Sequence, residues 1–112
     1  MRVTSSLWVS ALIRRYYGEG ASAVVVQKGA EEAGAIFVIV DRLTGISDLY
    51  GPAPQSLFAD PGQVADRRFQ RLGEGIGSEE IAMRLARERN FDPDLWIVAV
   101  EDRDARILFE TV

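Results

Sequence analysis

The sequence predicts an α+β domain, a mostly antiparallel sheet of five to six strands with two helices, spanning residues 1–112 as one unit. Three observations predict this fold class. Two segments carry apolar residues at helical spacing, several apolar runs have the length of strands, and the links between those runs are short enough for hairpins. A chain of 112 residues has room for one hydrophobic core and not for a second domain.

The first helix is predicted to begin at a serine cap, Ser5 or Ser6, and to end at Gly18 or Gly20. Serine is favoured at helix starts and glycine at helix ends. The apolar residues between them recur at helical spacing and therefore predict which side is buried. The predicted buried face consists of Leu7, Trp8, Ala11, Leu12 and Arg15, with Tyr16 at its edge.

Two segments after this helix have the composition of strands. Residues 22–28 contain Val24, Val25 and Val26, and a row of β-branched residues favours a strand. Residues 34–41 are apolar at nearly every position, which predicts a central strand covered on both faces.

A hairpin is predicted next. Residues 42–45 form its turn, with Gly45 in the left-handed conformation, and residues 46–51 return as the antiparallel partner. Residues 51–62 contain three prolines and are predicted to be a loop, either a plain connection or a functional segment.

Residues 66–72 are compatible with two structures, and a strand is preferred over a helix. Residues 73–77 are rich in glycine and precede a helix, as a phosphate-binding loop does. They lack the lysine of such loops, and the carboxylate of Glu74 would repel a phosphate. This segment is therefore predicted to be a flexible link.

The second helix is predicted from its cap, Ser78, to about Arg89, with Asn90 able to close it. Its predicted buried face consists of Ile81, Ala82, Leu85 and Ala86. The remaining chain is predicted to form a second buried strand at 95–101, a turn at 102–105 and a last short strand at 106–110.

Composition restricts the chemistry of the chain. It contains no cysteine and no histidine, which excludes thiol nucleophiles, Ser-His-Asp triads and classical zinc sites built from its own side chains. No catalytic motif is recognisable, so the sequence favours a binding protein over an enzyme and predicts no cofactor.

Charge and hydropathy restrict the partners and the compartment. The formal net charge of −4 disfavours nonspecific coating of nucleic acid. No apolar run approaches the ~18 residues that a membrane span requires, so no membrane association is expected. Residues 7–13 and 21–23 resemble parts of a signal peptide, but Arg14 and Arg15 directly follow the apolar stretch, and a cytoplasmic protein is expected.

A group of carboxylates lies near the end of the chain, at Asp92, Asp94, Glu101, Asp102 and Asp104. Carboxylates can hold Mg²⁺ or Mn²⁺ for phosphoryl chemistry. However, the predicted strand between Asp94 and Glu101 would separate them by roughly 23 Å at ~3.3 Å per residue. The other aspartates have the spacing of turn residues, so no metal site is predicted.

Arginine accounts for 12 of the 13 basic residues, and three arginines surround Phe69. Arginines beside an aromatic ring can bind single-stranded nucleic acid through charge and stacking, or they can pair with the abundant acids. Tyr50, beside the proline-rich loop, can line a pocket or pack in the core. The candidate binding residues are Tyr50, Pro52, Pro54, Arg67, Arg68 and Arg71.

Several strings resemble those of a known family. Tyr-Gly-Pro-Ala-Pro at 50–54 and Phe-Asp-Pro-Asp-Leu-Trp at 91–96 are the most specific, and others lie at 7–11, 34–38 and 84–88. The chain resembles, over almost its whole length, small single-domain bacterial proteins, chiefly alphaproteobacterial, known only as a domain of unknown function. This resemblance implies a compartment but no activity, cofactor or catalytic residue. A glycine expected in the final turn is replaced by Ala105.

These observations predict a non-catalytic protein-interaction module that binds another protein or a second copy of itself. So small a domain is expected to leave one face or an edge of its sheet open for a partner. Binding of RNA or single-stranded nucleic acid through the arginines is the alternative function. A carboxylate-held, metal-dependent hydrolase is a second alternative.

Overall fold

The computed structural model describes residues 3–54 and 67–112, and it arranges them as a sheet with one helix on each face. These residues contain two helices and five strands, which confirms the predicted α+β class. The elements in chain order are α1 (Ser5–Gly18), β1 (Ser22–Gln27), β2 (Ile36–Asp41), β3 (Ser47–Pro52), β4 (Phe69–Ile76), α2 (Ser78–Phe91) and β5 (Trp96–Glu101).

The strand order is β1-β5-β2-β3-β4, so β1 and β4 form the two edges of the sheet. The pairs β1–β5, β2–β3 and β3–β4 are antiparallel, whereas β2 and β5 are parallel. The sheet is therefore mostly antiparallel, as predicted. The segment predicted to be a central strand, β2, lies in the middle of the sheet and is buried on both faces.

The two faces of β5 show how the helices divide the core. Successive side chains of a strand point to opposite faces. Trp96, Val98 and Val100 pack in a cluster with α1, whereas Ile97 and the preceding Leu95 pack in a separate cluster with α2. Continuous apolar sequence at β5 is therefore explained by a helix on each side.

The buried face of α1 matches the predicted one only in part: Leu12 and Tyr16 are buried, and Trp8 is partly buried against the same cluster. The helix is capped by Thr4, whose Oγ1 accepts a hydrogen bond from the N–H of Leu7 at 3.2 Å. Ser5 follows in the first turn, is fully buried, and donates its hydroxyl proton to the carbonyl of Gly34 at 2.7 Å. This anchor turns Leu7 and Ala11 to solvent. The buried residues of α1 are Ser5, Val9, Leu12 and Tyr16.

The glycine-rich segment is part of a strand and not a link. β4 continues through Gly73 and Gly75 to Ile76, which also shows that the helical alternative for residues 66–72 is wrong from Phe69 onward. Gly75 has a φ of +57°, and its N–H donates to the buried carboxylate of Asp48 at 2.8 Å. Glycine is suited to this position because a left-handed φ costs it little.

The second helix differs from the prediction at its start and on its buried face. Gly77, rather than Ser78, occupies the N-cap position. Ile81 and Leu85 are buried as predicted, but Ala82 and Ala86 are exposed. The helix contacts the sheet through the large side chains of Ile81 and Leu85, and the Nη1 of Arg84 also donates to the carbonyl of Leu72.

The last predicted strand does not form. Residues 106–110 contain no strand, and an isolated bridge joins the following residue, Thr111, to Phe69. The preceding turn is confirmed by a hydrogen bond of 2.9 Å from the N–H of Ala105 to the carbonyl of Asp102. Ala105 adopts a φ of +51°, the conformation for which a glycine was expected.

The connection from β1 to β2 crosses the start of β5. Gly29 lies so close that a Cβ there would stand 2.2 Å from the carbonyl oxygen of Asp94. The indole N–H of Trp96 donates to the carbonyl of Ala30 at 2.8 Å. This crossing places β1 outside β5, at the edge of the sheet.

Candidate functional site

The structure brings the sequence-predicted binding residues together at the edge of the sheet formed by β3 and β4, which we call the β3–β4 end. Arg71 on β4 lies directly across the ladder from Tyr50 on β3, and Pro52 pairs with Phe69. The carbonyl of Arg68 accepts a hydrogen bond from the N–H of Ala53 at 2.9 Å. Residues 55–62 of the predicted loop lie outside the described residues. The residues gathered at the β3–β4 end are Tyr50, Pro52, Pro54, Arg67, Arg68 and Arg71.

Tyr50 packs in the core. Its side chain is 6% exposed, and its ring meets the ring of Phe109 edge-on with centroids 5.2 Å apart. Burial raises the pKa of its hydroxyl, the carboxylate of Asp48 raises it further, and Arg71 partly opposes both. A phenol whose pKa is raised stays protonated at neutral pH, so Tyr50 cannot serve as a base.

The three arginines of this region are engaged with neighbouring groups. The Nε of Arg68 lies 3.2 Å from a carboxylate oxygen of Glu110, and an Nη of Arg71 lies 3.4 Å from Glu74. Arg67 donates to a backbone carbonyl at 3.0 Å. The interpretation that these arginines pair with nearby acids is confirmed for Arg68 and Arg71. Such pairing reduces the positive charge available to a phosphate backbone.

The acidic residues are divided between the two ends of β5. Asp92 lies before the strand, and its Oδ1 accepts the N–H of Asp94 at 3.0 Å, as in a turn. Glu101 ends the strand, and Asp102 and Asp104 follow it. Within residues 3–54 and 67–112, no group of three or more such side chains is placed to hold a metal ion.

Asp102 stabilises the turn after β5. It is 5% exposed and accepts a hydrogen bond of 2.8 Å from the Nε of Arg106. It also accepts the backbone N–H groups of Asp104 and Arg106, each at 3.1 Å. The hydrogen bond from the Arg106 side chain is the main reason that the pKa of this carboxyl lies below its ordinary value. Because its carboxylate oxygens accept these hydrogen bonds within the turn, Asp102 has a structural role.

An exposed apolar strand, β1, forms the opposite edge of the sheet. Val24, Val25 and Val26 of β1 are 52%, 41% and 59% exposed. Within the described ranges, β5 is the one strand that pairs with β1, and β1 itself contains no charged residue. We call the outer edge of β1, with these three valines, the valine edge. It presents unpaired backbone groups together with apolar side chains.

The sequence predicted this strand but not its exposure. Three successive valines indicate a strand, and they do not indicate whether it lies inside the sheet or at its edge. The signal for an edge was the connection that follows, since its two glycines, Gly29 and Gly34, let it approach the backbone of β5 closely.

A hollow of about 260 Å³ lies beside the start of β1. Glu101, which faces Ser22 across the β1–β5 ladder, is part of its wall. The hollow is polar and open to solvent. Its lining residues are Gly20, Ala21, Leu43, Glu101, Asp102, Arg103, Asp104 and Arg106.

No helix within the described ranges is both long and apolar enough to cross a bilayer.

Similar proteins have been solved from bacteria. The model of a family described as "Protein of unknown function (DUF1491)" matches residues 3–110. A protein of A. tumefaciens, solved in solution, is 53% identical with a TM-score of 0.80, over 91% of this chain and 87% of that one. A crystal structure of a DUF1491 family protein from Caulobacter crescentus CB15 is 31% identical with a TM-score of 0.78, over 100% and 99%. No curated protein matches.

Proposed function

The chain belongs to the DUF1491 family, for which no function is described, and we propose from its geometry that it is a cytoplasmic, non-catalytic protein-interaction module. The observation that carries the proposal is the valine edge. Three neighbouring valines are half exposed on a strand that is open on one side. An extended segment of another protein can add to such an edge as a further strand.

The valine edge can supply both affinity and selectivity. Main-chain hydrogen bonds form when a strand is added, and the alternating side chains of the added strand select for apolar residues. Covering the exposed part of each valine would contribute about 1 kcal/mol, because a fully buried valine contributes about 1.5–3 kcal/mol and these are already half buried.

The strand is already ordered, so binding need not order it. β1 is paired to β5 along its inner side, and the amide of Gln27 donates to the carbonyl of Leu95 at 3.2 Å. A bulge between Val25 and Gln27 interrupts the ladder. Bulges limit the pairing of an edge, so the added strand would form its main-chain hydrogen bonds along Ser22–Val25 and would contact Val26 through its side chain alone.

The other surfaces support a partner less well. The arginines at the β3–β4 end are engaged with Glu110, Glu74 and a backbone carbonyl. The net charge of −4 further disfavours a nucleic-acid partner. The buried carboxylate of Asp102 accepts hydrogen bonds within its own turn. For these reasons the proposal assigns binding to β1.

A pull-down with matched variants tests the proposal. The Val24→Thr/Val26→Thr double variant keeps β-branched side chains of the same size and replaces one methyl group of each with a hydroxyl, which makes their surface less apolar. Val112→Thr is the control, because Val112 is 53% exposed and lies outside the strand. Tagged proteins at moderate salt, with and without nuclease, should retain the same proteins in wild type and control, and the double variant should lose them.

A further variant separates this proposal from nucleic-acid binding. Replacing Arg67, Arg68 and Arg71 together with glutamine should leave retention unchanged. Loss of partners in this variant, or their disappearance on nuclease treatment, would assign binding to the arginines and overturn the proposal.

A further inference from the structure

We propose that the part of the sheet that α2 leaves uncovered receives an amphipathic helix of a partner protein, and that this helix carries lysine or arginine. The surface goes beyond the proposed function, because it lies on a face of the sheet and does not require an added strand. Three features carry the inference: a row of partly exposed apolar residues, two alanines of α2 beside it, and two carboxylates at its border.

A row of apolar side chains becomes more exposed as it crosses the sheet toward β1. Ladder pairs join Leu49 of β3 to Ile39 of β2, Ile39 to Ala99 of β5, and Ala99 to Val24 of β1. Leu49 is 1% exposed in the cluster with α2, Ile39 and Ala99 are partly exposed, and Val24 is 52% exposed. Because Ala23 packs with α1, the neighbouring Val24 points to the α2 side. We call Ile39, Ala99 and Val24 the apolar shelf.

Two small residues of α2 border the apolar shelf. The Nη1 of Arg84 donates to the carbonyl of Leu72, so this flank of the helix faces β4. At 3.6 residues per turn, Ala82 and Ala86 lie roughly 160° around the helix from Arg84. They therefore project away from β4, toward β5 and β1, and both are exposed. Side chains this small leave room for a second helix at an interaxial distance of about 8–10 Å.

The apolar shelf has the width of one helix. It crosses β2, β5 and β1, and two gaps of about 4.8 Å between neighbouring strands give roughly 10 Å. An α-helix with its side chains is about 10–12 Å across. The opposite face of these three strands already packs against α1. A helix on the shelf would lie beside α2 and cover the half of this face that α2 leaves open.

Two carboxylates form the border of the apolar shelf. Asp41 and Glu101 are partners in the β2–β5 ladder, and each lies two residues beyond a shelf residue, Ile39 or Ala99. They therefore point to the same face, roughly 7 Å farther along the strands. Arg103 lines the same hollow as Glu101, yet among the described residues neither carboxylate forms an ion pair. A basic side chain on a docked helix would supply the missing countercharge.

This combination of apolar surface and acidic border decides between possible occupants. Nucleic acid and anionic membranes would be repelled by the border, and a second copy would bring a further net charge of −4. A helix with an apolar stripe can cover the apolar shelf and contact Ala82 and Ala86. Lysine or arginine beside that stripe would meet Asp41 and Glu101. The partner is therefore a basic amphipathic helix.

Selection from a display library of helix-forming 18-residue peptides on the immobilised full chain tests the inference. We expect enriched peptides to repeat apolar residues at helical spacing, with lysine or arginine beside the stripe. A synthetic copy should gain helical circular dichroism on binding. Ala86→Arg should weaken its binding at least tenfold, because a long cation would obstruct the apolar shelf. Ala11→Arg is the matched control, since Ala11 is exposed on α1, and it should bind like the wild type.

A charge reversal tests the border separately. Glu101→Lys should weaken binding of the same peptide at least tenfold, and wild-type binding should weaken as salt is raised. Glu32→Lys makes the same change of charge at an exposed residue whose carbonyl accepts the N–H of Ser5, at the start of α1. It should leave binding within about twofold of the wild type, because salt screens charges farther apart than about 8 Å.

The outcomes separate this inference from the proposed function. Selected peptides that bind Ala86→Arg as tightly as the wild type would overturn the inference, and the proposed function would stand if the double valine variant still loses its partners. Helical peptides that depend on Ala86 and Glu101 would support the inference even if the double valine variant retains every partner. An oligomer at pH 7 that Ala86→Arg abolishes would assign the apolar shelf to a second copy and overturn the inference.

Discussion

Residues 106–110, for which the sequence predicted a strand, are held against α1 by hydrogen bonds from single side chains. The hydroxyl of Tyr16 donates to the carbonyl of Arg106 at 2.8 Å and accepts the N–H of Leu108 at 3.1 Å. Burial raises the pKa of this hydroxyl, so it remains a donor at neutral pH. The side chain of Arg106 donates in turn to the carboxylate of Asp102. Irregular backbone is stable here because side chains satisfy its polar groups.

Asp102→Asn is expected to lower the free energy of unfolding at pH 7 by about 1 kcal/mol, because a neutral amide weakens the hydrogen bond from the partly exposed Arg106. The pKa of the Asp102 carboxyl is lowered by folding. Its contribution is therefore complete above the ordinary aspartate pKa of about 4 and is lost as the pH falls through the lower folded-state value.

Urea unfolding of wild type and variant across this pH range measures the effect. The difference between them should shrink in acid, where the wild-type carboxyl is also protonated. Asp104→Asn is the control, since Asp104 is exposed. A difference that stays constant from neutral to acidic pH would contradict the assignment of Asp102.

At the scale of elements, a continuous run of apolar residues predicted strands reliably, whereas the propensities of single residues did not. Strands β2 and β5 were predicted from their composition because burial on both faces leaves no polar position. β4 was only half predicted, because glycine has low strand propensity and its pairing with β3 is a tertiary effect. The face of α1 was predicted only in part, because the hydrogen bond from Ser5 to Gly34, which helps to orient the helix, joins residues distant in sequence.

The observed face of α1 can be tested against the predicted one. Leu12→Ala should destabilise the protein by about 2–5 kcal/mol, because Leu12 is 1% exposed and its loss leaves a cavity in the α1 cluster. Leu7→Ala is the matched control, since Leu7 is 57% exposed, and it should change stability by less than about 0.5 kcal/mol. Thermal or urea unfolding compares them, and equal losses would support the predicted face instead.

For the candidate site too, the sequence identified which residues to consider, but their surroundings depend on contacts between distant parts of the chain. Tyr50 and the arginines were recognised from their residue types, and the structure gathers them at the β3–β4 end. Their burial and ion pairs depend on neighbours such as Phe109 and Glu110, which lie far along the chain. The valine edge was missed because strand order is set by long-range pairing, and only that order places β1 at the rim.

At the scale of the whole molecule, charge governs whether two valine edges meet. Each molecule carries a formal net charge of −4 at neutral pH. Repulsion between like-charged molecules disfavours association, whereas the apolar surface favours it irrespective of pH. An open edge can therefore remain unpaired at neutral pH without a lysine or proline within the strand.

This balance predicts a pH-dependent association. Toward the isoelectric point of about 4.8, the repulsion disappears while the valines are unchanged. The lowered pKa of Asp102 keeps its carboxylate ionised there, so the turn that it stabilises persists. Sedimentation velocity at constant ionic strength should show a monomer at pH 7 and reversible association near pH 4.8. The Val24→Thr/Val26→Thr variant should remain monomeric at both values, and Val112→Thr should follow the wild type. Association near pH 4.8 that the double variant does not reduce would place the contact elsewhere, because threonine preserves the shape of β1 and makes its surface less apolar.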